Sequence, residues 1–122
     1  MRELILGGVR SGKSRLAEQH AQATGLPVTY IATATAEDEE MRARILHHQQ
    51  QRPAQWRVVE EPLALAVALQ REAAENRCVL VDCLTLWLTN LLEAGENVFA
   101  QERAALLCAL PALHGKIVLV AN

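Results

Sequence analysis

The chain has 122 residues, 51% hydrophobic and 21% charged, with a formal net charge of −2, which suits a single soluble domain with its own core. That charge, with only 3% aromatic residues, excludes the dense basic face and stacking platforms of a broad nucleic-acid surface. No apolar run approaches the roughly 18 residues needed to span a bilayer, and nothing resembles a signal peptide, so a cytoplasmic protein is expected.

Residues 3–7 (ELILG) read as a short apolar strand, followed by a Gly-rich turn and a helix from about Ser14 to Thr24 that Gly25 and Pro27 stop. VTYIAT, 28–33, is a strand rich in β-formers. AEDEEMRARILHHQQQ, 36–51, opens with acids, sets Met41 and Ile45 four apart, and ends before Pro53, so it reads as a helix. WRVVE, 56–60, is a strand. PLALAVALQREAAEN, 62–76, is an Ala/Leu-rich helix with Pro at its start. CVLVD, 78–82, is a continuous apolar run closed by an acid, the pattern of a buried parallel strand. A helix over 85–94, a Gly-Glu-Asn loop, a helix over 98–110 and a buried strand KIVLVAN, 116–122, complete the chain. Alternating strands and helices predict an α/β fold with a mostly parallel sheet. A strand at the very end, with no helix after it, reads as unfinished, so the chain is expected to be part of a longer domain. Cys78, Cys83 and Cys108 are an odd set without metal-ligand spacing and read as buried thiols in a reducing compartment.

GGVRSGKS, Gly7 to Ser14, fits the phosphate-loop pattern G-x-x-x-x-G-K-[ST] between a strand and a helix. Gly7 and Gly12 let the backbone turn tightly around phosphate, and successive N–H groups with the helix N-terminus bind the anion. Lys13 would reach the β and γ phosphates, and the Ser14 hydroxyl would ligate Mg²⁺. An ordinary Gly-rich turn is the competing reading. Asp82, closing an apolar strand, is the natural second holder of the Mg²⁺ shell. Its alternative role is capping the helix that follows.

His47 and His48 raise a separate question. At about 100° per residue, with Met41 at zero, Ile45 lies roughly 40° to one side and His48 about 20° to the other, on the apolar face. His47 lies roughly 120° away, on the polar face between Arg44 and Gln51. A neutral imidazole there could attack phosphorus; two incidental surface histidines are the plainer alternative.

Together these segments resemble one family, the bifunctional adenosylcobinamide kinase/adenosylcobinamide-phosphate guanylyltransferases of cobalamin biosynthesis. The residues that carry the resemblance are LILGGVRSGKSRLAE (4–18), YIATA (30–34), DEEMRARILHHQQQRPAQWRVVEEP (38–62), VLVDCLTLWLTNLL (79–92) and KIVLVAN (116–122). It implies a P-loop NTPase (RecA-like) fold, with residues 1–122 forming a single nucleotide-binding domain that matches the N-terminal two-thirds of the family's domain. It implies two reactions: phosphorylation of the aminopropanol hydroxyl of adenosylcobinamide, then transfer of GMP from GTP to the resulting phosphate, with Mg²⁺, GTP and ATP. The resemblance makes His47 the nucleophile that carries GMP, with Lys13 at the phosphates. Nucleotide contacts carry over to Gly7, Gly8, Val9, Arg10, Ser11, Gly12, Lys13, Ser14, Ile31, Ala32, Thr33, His48, Gln49, Gln50, Gln51, Glu60 and Asp82. Glu60 would read a guanine edge or a ribose, or else is a solvated acid beside Glu61. Arg52 reads as an exposed pre-proline residue more readily than as a phosphate ligand. A closed homo-oligomer, trimeric in the family, is implied as well. The competing functions are a P-loop small-molecule kinase without guanylyl transfer and a non-catalytic GTP-binding module.

Overall fold

The computed structural model describes residues 2–6, 13–34 and 56–121. Five strands form one parallel sheet: β1 (Arg2–Leu6), β2 (Val28–Ala32), β3 (Arg57–Glu60), β4 (Cys78–Asp82) and β5 (Lys116–Ala121), in spatial order β1-β5-β4-β2-β3. The described helices are α1 (Lys13–Ala23), α2 (Leu65–Glu72), α3 (Leu84–Ala94) and α4 (Glu96–Ala109), with a 3-10 turn at Leu110–Ala112. The helix expected over 36–51 lies outside the described residues.

Side chains alternate across a strand, so β2, β4 and β5 each serve two cores, while β1 gives Ile5 to one of them and leaves Leu4 and Leu6 exposed. Val28, Tyr30, Ala32, Cys78, Leu80, Val118 and Val120 face α1, where Ala17 and Ala21 are small enough to let the helix lie against the sheet. Ile31, Val79, Val81, Ile117 and Leu119 face α2, α3 and α4 and meet Leu65, Leu69, Trp87, Leu91 and Leu106. The fully buried Ile31, Leu65, Leu69 and Leu91 each gain about 1.5–3 kcal/mol by leaving water. Glu72 is a buried acid in this second layer. Its carboxylate lies 2.8 Å from the Arg57 Nε, an ion pair without hydrogen-bond alignment, and 3.2 Å from the Arg71 Nε. That pairing joins α2 to β3 and offsets the cost of burying the charge.

Two helices depart from their sequence expectations. The helix expected over 62–76 is only 65–72: Ala73 is already extended, although Ala-Ala-Glu would continue a helix well. Tertiary structure overrides propensity here, because the chain must turn at once into β4. Arg77 N–H donates to the Ala74 carbonyl and Lys116 N–H donates to the Arg77 carbonyl, so this turn is fastened to the start of β5. The Gly-Glu-Asn loop shrinks to Gly95 (φ 118°), and α4 begins at Glu96, whose carboxylate suits the helix N-terminus. The cysteines also differ from expectation: Cys78 is buried, Cys83 intermediate and Cys108 exposed. No helix among the described residues is long and apolar enough to cross a membrane.

Gly115 has φ 82°, and a Cβ there would lie 2.1 Å from the Ala74 carbonyl oxygen and 2.6 Å from that of Arg77. Gly115→Ala should therefore cost at least about 2 kcal/mol, whereas Gly25→Ala, with a positive φ but open space around it, should cost only about 1 kcal/mol. Denaturant unfolding of both variants checks the order. Burial, partly countered by the Lys116 charge, pushes the Cys78 thiol up to about 11. At pH 8 an alkylating reagent should modify Cys108 in the native protein and leave Cys78 intact. Because the unfolded thiol ionises first, Cys78's contribution to stability falls as pH rises from about 9 to about 11. Mass analysis of the alkylated peptides tests the labelling.

Candidate functional site

Parallel pairing brings the carboxyl ends of all five strands to one edge. The register aligns Ile5 with Val120, Val120 with Asp82, Asp82 with Ala32, and Ala32 with Glu60. Residues aligned in parallel strands share a face, so Asp82, Ala32 and Glu60 all lie on the α1 face. Two carboxylate-bearing residues thus flank Ala32, their Cα atoms roughly 10 Å apart at about 4.8 Å per strand. A helix that follows a parallel strand runs back against it, so the N-terminus of α1, with Lys13 and Ser14, stands at this same edge. Ligands bind at this edge of open α/β sheets. Gly7 to Gly12, His47, His48, Gln49, Gln50, Gln51 and Arg52 lie outside the described residues.

Asp82 is half-buried at the end of β4. The alternative that it caps the next helix does not hold: Cys83 is the cap residue of α3, and its sulfur accepts from the Leu86 N–H at 3.4 Å. The Asp82 carboxylate instead accepts a 2.6 Å hydrogen bond from the Tyr30 hydroxyl. From the other face, the Thr33 hydroxyl donates to the Cys83 carbonyl at 2.8 Å and accepts from the Cys83 N–H at 2.9 Å. The Thr33 N–H donates to the Asp82 carbonyl, extending the β2–β4 ladder by one residue. The intervening Asp82–Cys83 peptide is cis. Ile31, Ala32 and Thr33 all have buried side chains, so they form the floor of the strand ends and do not project into solvent.

Glu60 and Glu61 separate cleanly. Glu60 is exposed at the end of β3, while the Glu61 carboxylate accepts from the N–H groups of Leu63 and Ala64 and fixes the turn into α2. Helix α3 pins these loops from behind. The Asn90 amide donates to the carbonyls of Thr33 (2.9 Å) and Pro62 (3.1 Å), and the Trp87 indole N–H donates to the Leu63 carbonyl (2.8 Å).

Oxygen donors predominate at this edge. Among the described residues no group of three His, Cys, Asp or Glu side chains could cage a metal. The Asp82 carboxylate at the end of β4 fits Mg²⁺, a hard ion that keeps waters and binds chiefly through one or two carboxylates and substrate phosphates. Tyr30, Trp87 and Asn90 lie in segments that carry the family resemblance, but no spacing in the sequence marks them as site residues. The one available signal is parity: Tyr30 stands two residues before Ala32 and so shares the face of Asp82.

The family described as cobinamide kinase/cobinamide phosphate guanyltransferase matches residues 3–122. The chain is 60% identical over 123 residues to the bifunctional adenosylcobalamin biosynthesis protein CobP of Pseudomonas aeruginosa, across 100% of this chain and 71% of that protein. It is 42% identical over 134 residues to the CobU protein of the same description from Salmonella typhimurium, and 38% identical over 136 residues to that of Escherichia coli. Each of those alignments covers 98% of this chain and 73% of the relative. With its parallel sheet, its phosphate-loop sequence and a match along almost its whole length, this chain belongs to the cobinamide kinase/cobinamide phosphate guanyltransferase family, a family of enzymes with the P-loop fold.

Proposed function

We propose that the chain phosphorylates the aminopropanol hydroxyl of adenosylcobinamide and then transfers GMP from GTP to that phosphate through a guanylyl group carried on His47. The observation that best supports a shared nucleotide site is the strand-end row, in which Asp82 and Glu60 lie on the face of the helix that Lys13 and Ser14 open. In this reading Gly7 to Gly12 wrap the phosphates with main-chain N–H groups, and Lys13 balances charge on the departing oxygens. Ser14 and Asp82 would hold Mg²⁺, which when bound neutralises phosphate charge. ATP or GTP feeds the kinase step. His48, Gln49, Gln50 and Gln51 would line the nucleotide beside His47, and Ile31, Ala32 and Thr33 would support it from below.

In the second reaction a neutral imidazole nitrogen of His47 forms a bond to the α phosphorus of GTP, and the bond to pyrophosphate breaks. A phosphate oxygen of adenosylcobinamide phosphate then forms a bond to the same phosphorus and releases the imidazole, giving adenosyl-GDP-cobinamide. An ordinary imidazole, with a pKa near 6.5, is largely neutral at cellular pH and so able to attack. Dividing the transfer into two displacements is the gain of covalent catalysis. Glu60 is proposed to accept from the guanine edge, a role its exposed position at the strand end leaves open to a ligand. A cytoplasmic location and a homo-oligomer, trimeric in the family it resembles, complete the proposal.

With Mg²⁺ and GTP labelled at the α phosphate, the parent protein should acquire acid-labile, alkali-stable label and a His47→Ala variant none. A folded parent without label would leave the kinase reaction alone. Glu60→Gln should raise the KM for GTP in guanylyl transfer by roughly 10- to 100-fold, the loss expected for hydrogen bonds to a charged acceptor. An unchanged KM in initial-rate measurements would make Glu60 a solvated acid.

A further inference from the structure

Among the described residues, the end of β4 is held from both faces, by Tyr30 of β2 and by Thr33 directly after that strand. On the α1 face the Tyr30 hydroxyl donates to Asp82 Oδ2 at 2.6 Å, within the short range of O–H···O⁻ bonds. On the opposite face the buried Thr33 hydroxyl holds the main chain of Cys83, directly after it. Tyr30 is itself only 4% exposed and packed in the core beneath α1. A phenol on a buried ring moves little, so the hydrogen bond fixes the rotation of the carboxylate as well as its position. Thr33 in turn is tied through its carbonyl to the Asn90 amide of α3. A chain of hydrogen bonds therefore runs from the rear helix, through β2, to the one acid at the end of β4.

A buried hydroxyl spent on a half-exposed carboxylate does little for the core. A core position could take phenylalanine without placing a polar atom inside. Where a carboxylate holds a metal, the groups that orient it govern affinity nearly as much as the ligand itself. We infer that Tyr30 is a positioning residue for the metal–nucleotide site: its hydroxyl orients the Asp82 carboxylate toward the magnesium bound with the nucleoside triphosphate. This rests on the proposed role of Asp82 as a holder of that ion.

The test compares the parent, Tyr30→Phe and Asp82→Asn. Mn²⁺ replaces Mg²⁺, and its binding in the presence of GTP is followed by the loss of the free-ion electron paramagnetic resonance signal. Metal-free GTP binding is measured in parallel. Tyr30→Phe should weaken Mn²⁺ binding by about tenfold, at the low end for loss of a group that orients a metal ligand, and leave metal-free GTP binding unchanged. Asp82→Asn should weaken Mn²⁺ binding further. If Asp82→Asn loses Mn²⁺ affinity and Tyr30→Phe does not, the inference is overturned while the role of Asp82 stands. If neither variant changes Mn²⁺ binding, the role of Asp82 falls and the inference with it. Equal losses of metal-dependent and metal-free GTP binding in Tyr30→Phe would mark a general structural defect and also overturn it.

A second readout needs no substitution at Tyr30. It is the chain's one tyrosine, so a ¹³Cζ-tyrosine label gives a single nuclear magnetic resonance signal that reports the carbon bearing that hydroxyl. Adding Mg²⁺ to the GTP-bound parent should shift that signal, and adding it to GTP-bound Asp82→Asn should not. A parent spectrum indifferent to Mg²⁺ would overturn the inference even if Tyr30→Phe failed to fold.

Discussion

A parallel sheet must be covered on both faces, because its strands are apolar on both sides. That requirement organises everything else in this molecule. Alternate residues of β2, β4 and β5 feed two separate cores, one beneath α1 and one beneath α2, α3 and α4. The two layers then differ in purpose. The layer under α1 is thin, built on Ala17 and Ala21, and brings the start of that helix close to the strand ends. The other layer is thick, with Trp87 and several leucines, and serves as the rigid backing.

The backing reaches the chemistry through main-chain carbonyls. Asn90 and Trp87 extend polar atoms out of the apolar layer to the carbonyls of Thr33, Pro62 and Leu63, where strands give way to loops. Loops at the end of a sheet have no ladder to satisfy their carbonyls, so donors from a packed helix both satisfy and locate them. β2 is central to this arrangement, since it pairs with both β3 and β4 and carries groups to both faces. Its Tyr30, and Thr33 directly after it, approach Asp82 and Cys83 from opposite sides, so the end of β4 is determined by its neighbour as much as by its own sequence.

Much of this was legible in the sequence, and the reasons are physical. VTYIA, CVLVD and KIVLV are too uniformly apolar to be anything but buried strands, and the phosphate loop announces itself by spacing. Asp82 stands out as an acid that closes such a run. What was hidden depended on distant partners. Nothing local ends α2 at Glu72; the close approach of Gly115 and Arg77 does. Glu60 and Glu61 are chemically identical neighbours, and only strand register and the turn at Leu63 tell an exposed acid from one occupied by main-chain N–H groups. Tyr30 looks like any core aromatic until its hydroxyl is seen to meet a residue 52 positions away. The order β1-β5-β4-β2-β3 was also unwritten, since alternation of strands and helices predicts parallel pairing and not which strand lies beside which.

That order has a consequence for how the protein comes into being. β1 lies at one edge of the described sheet, and its ladder partner is β5, with Arg2 opposite Ile117 and Leu6 opposite Ala121. The earliest of these five strands in the chain thus has to wait for the last of them before it finds its place. Until residues 116–121 have emerged, β2, β3 and β4 can pair, but the strand leading into the phosphate loop has no edge to join. Closing so long a loop is slow, as for any pairing of distant segments. Nucleotide affinity should therefore arise only once β5 has taken its place between β4 and β1 and joined that edge strand to the rest of the sheet.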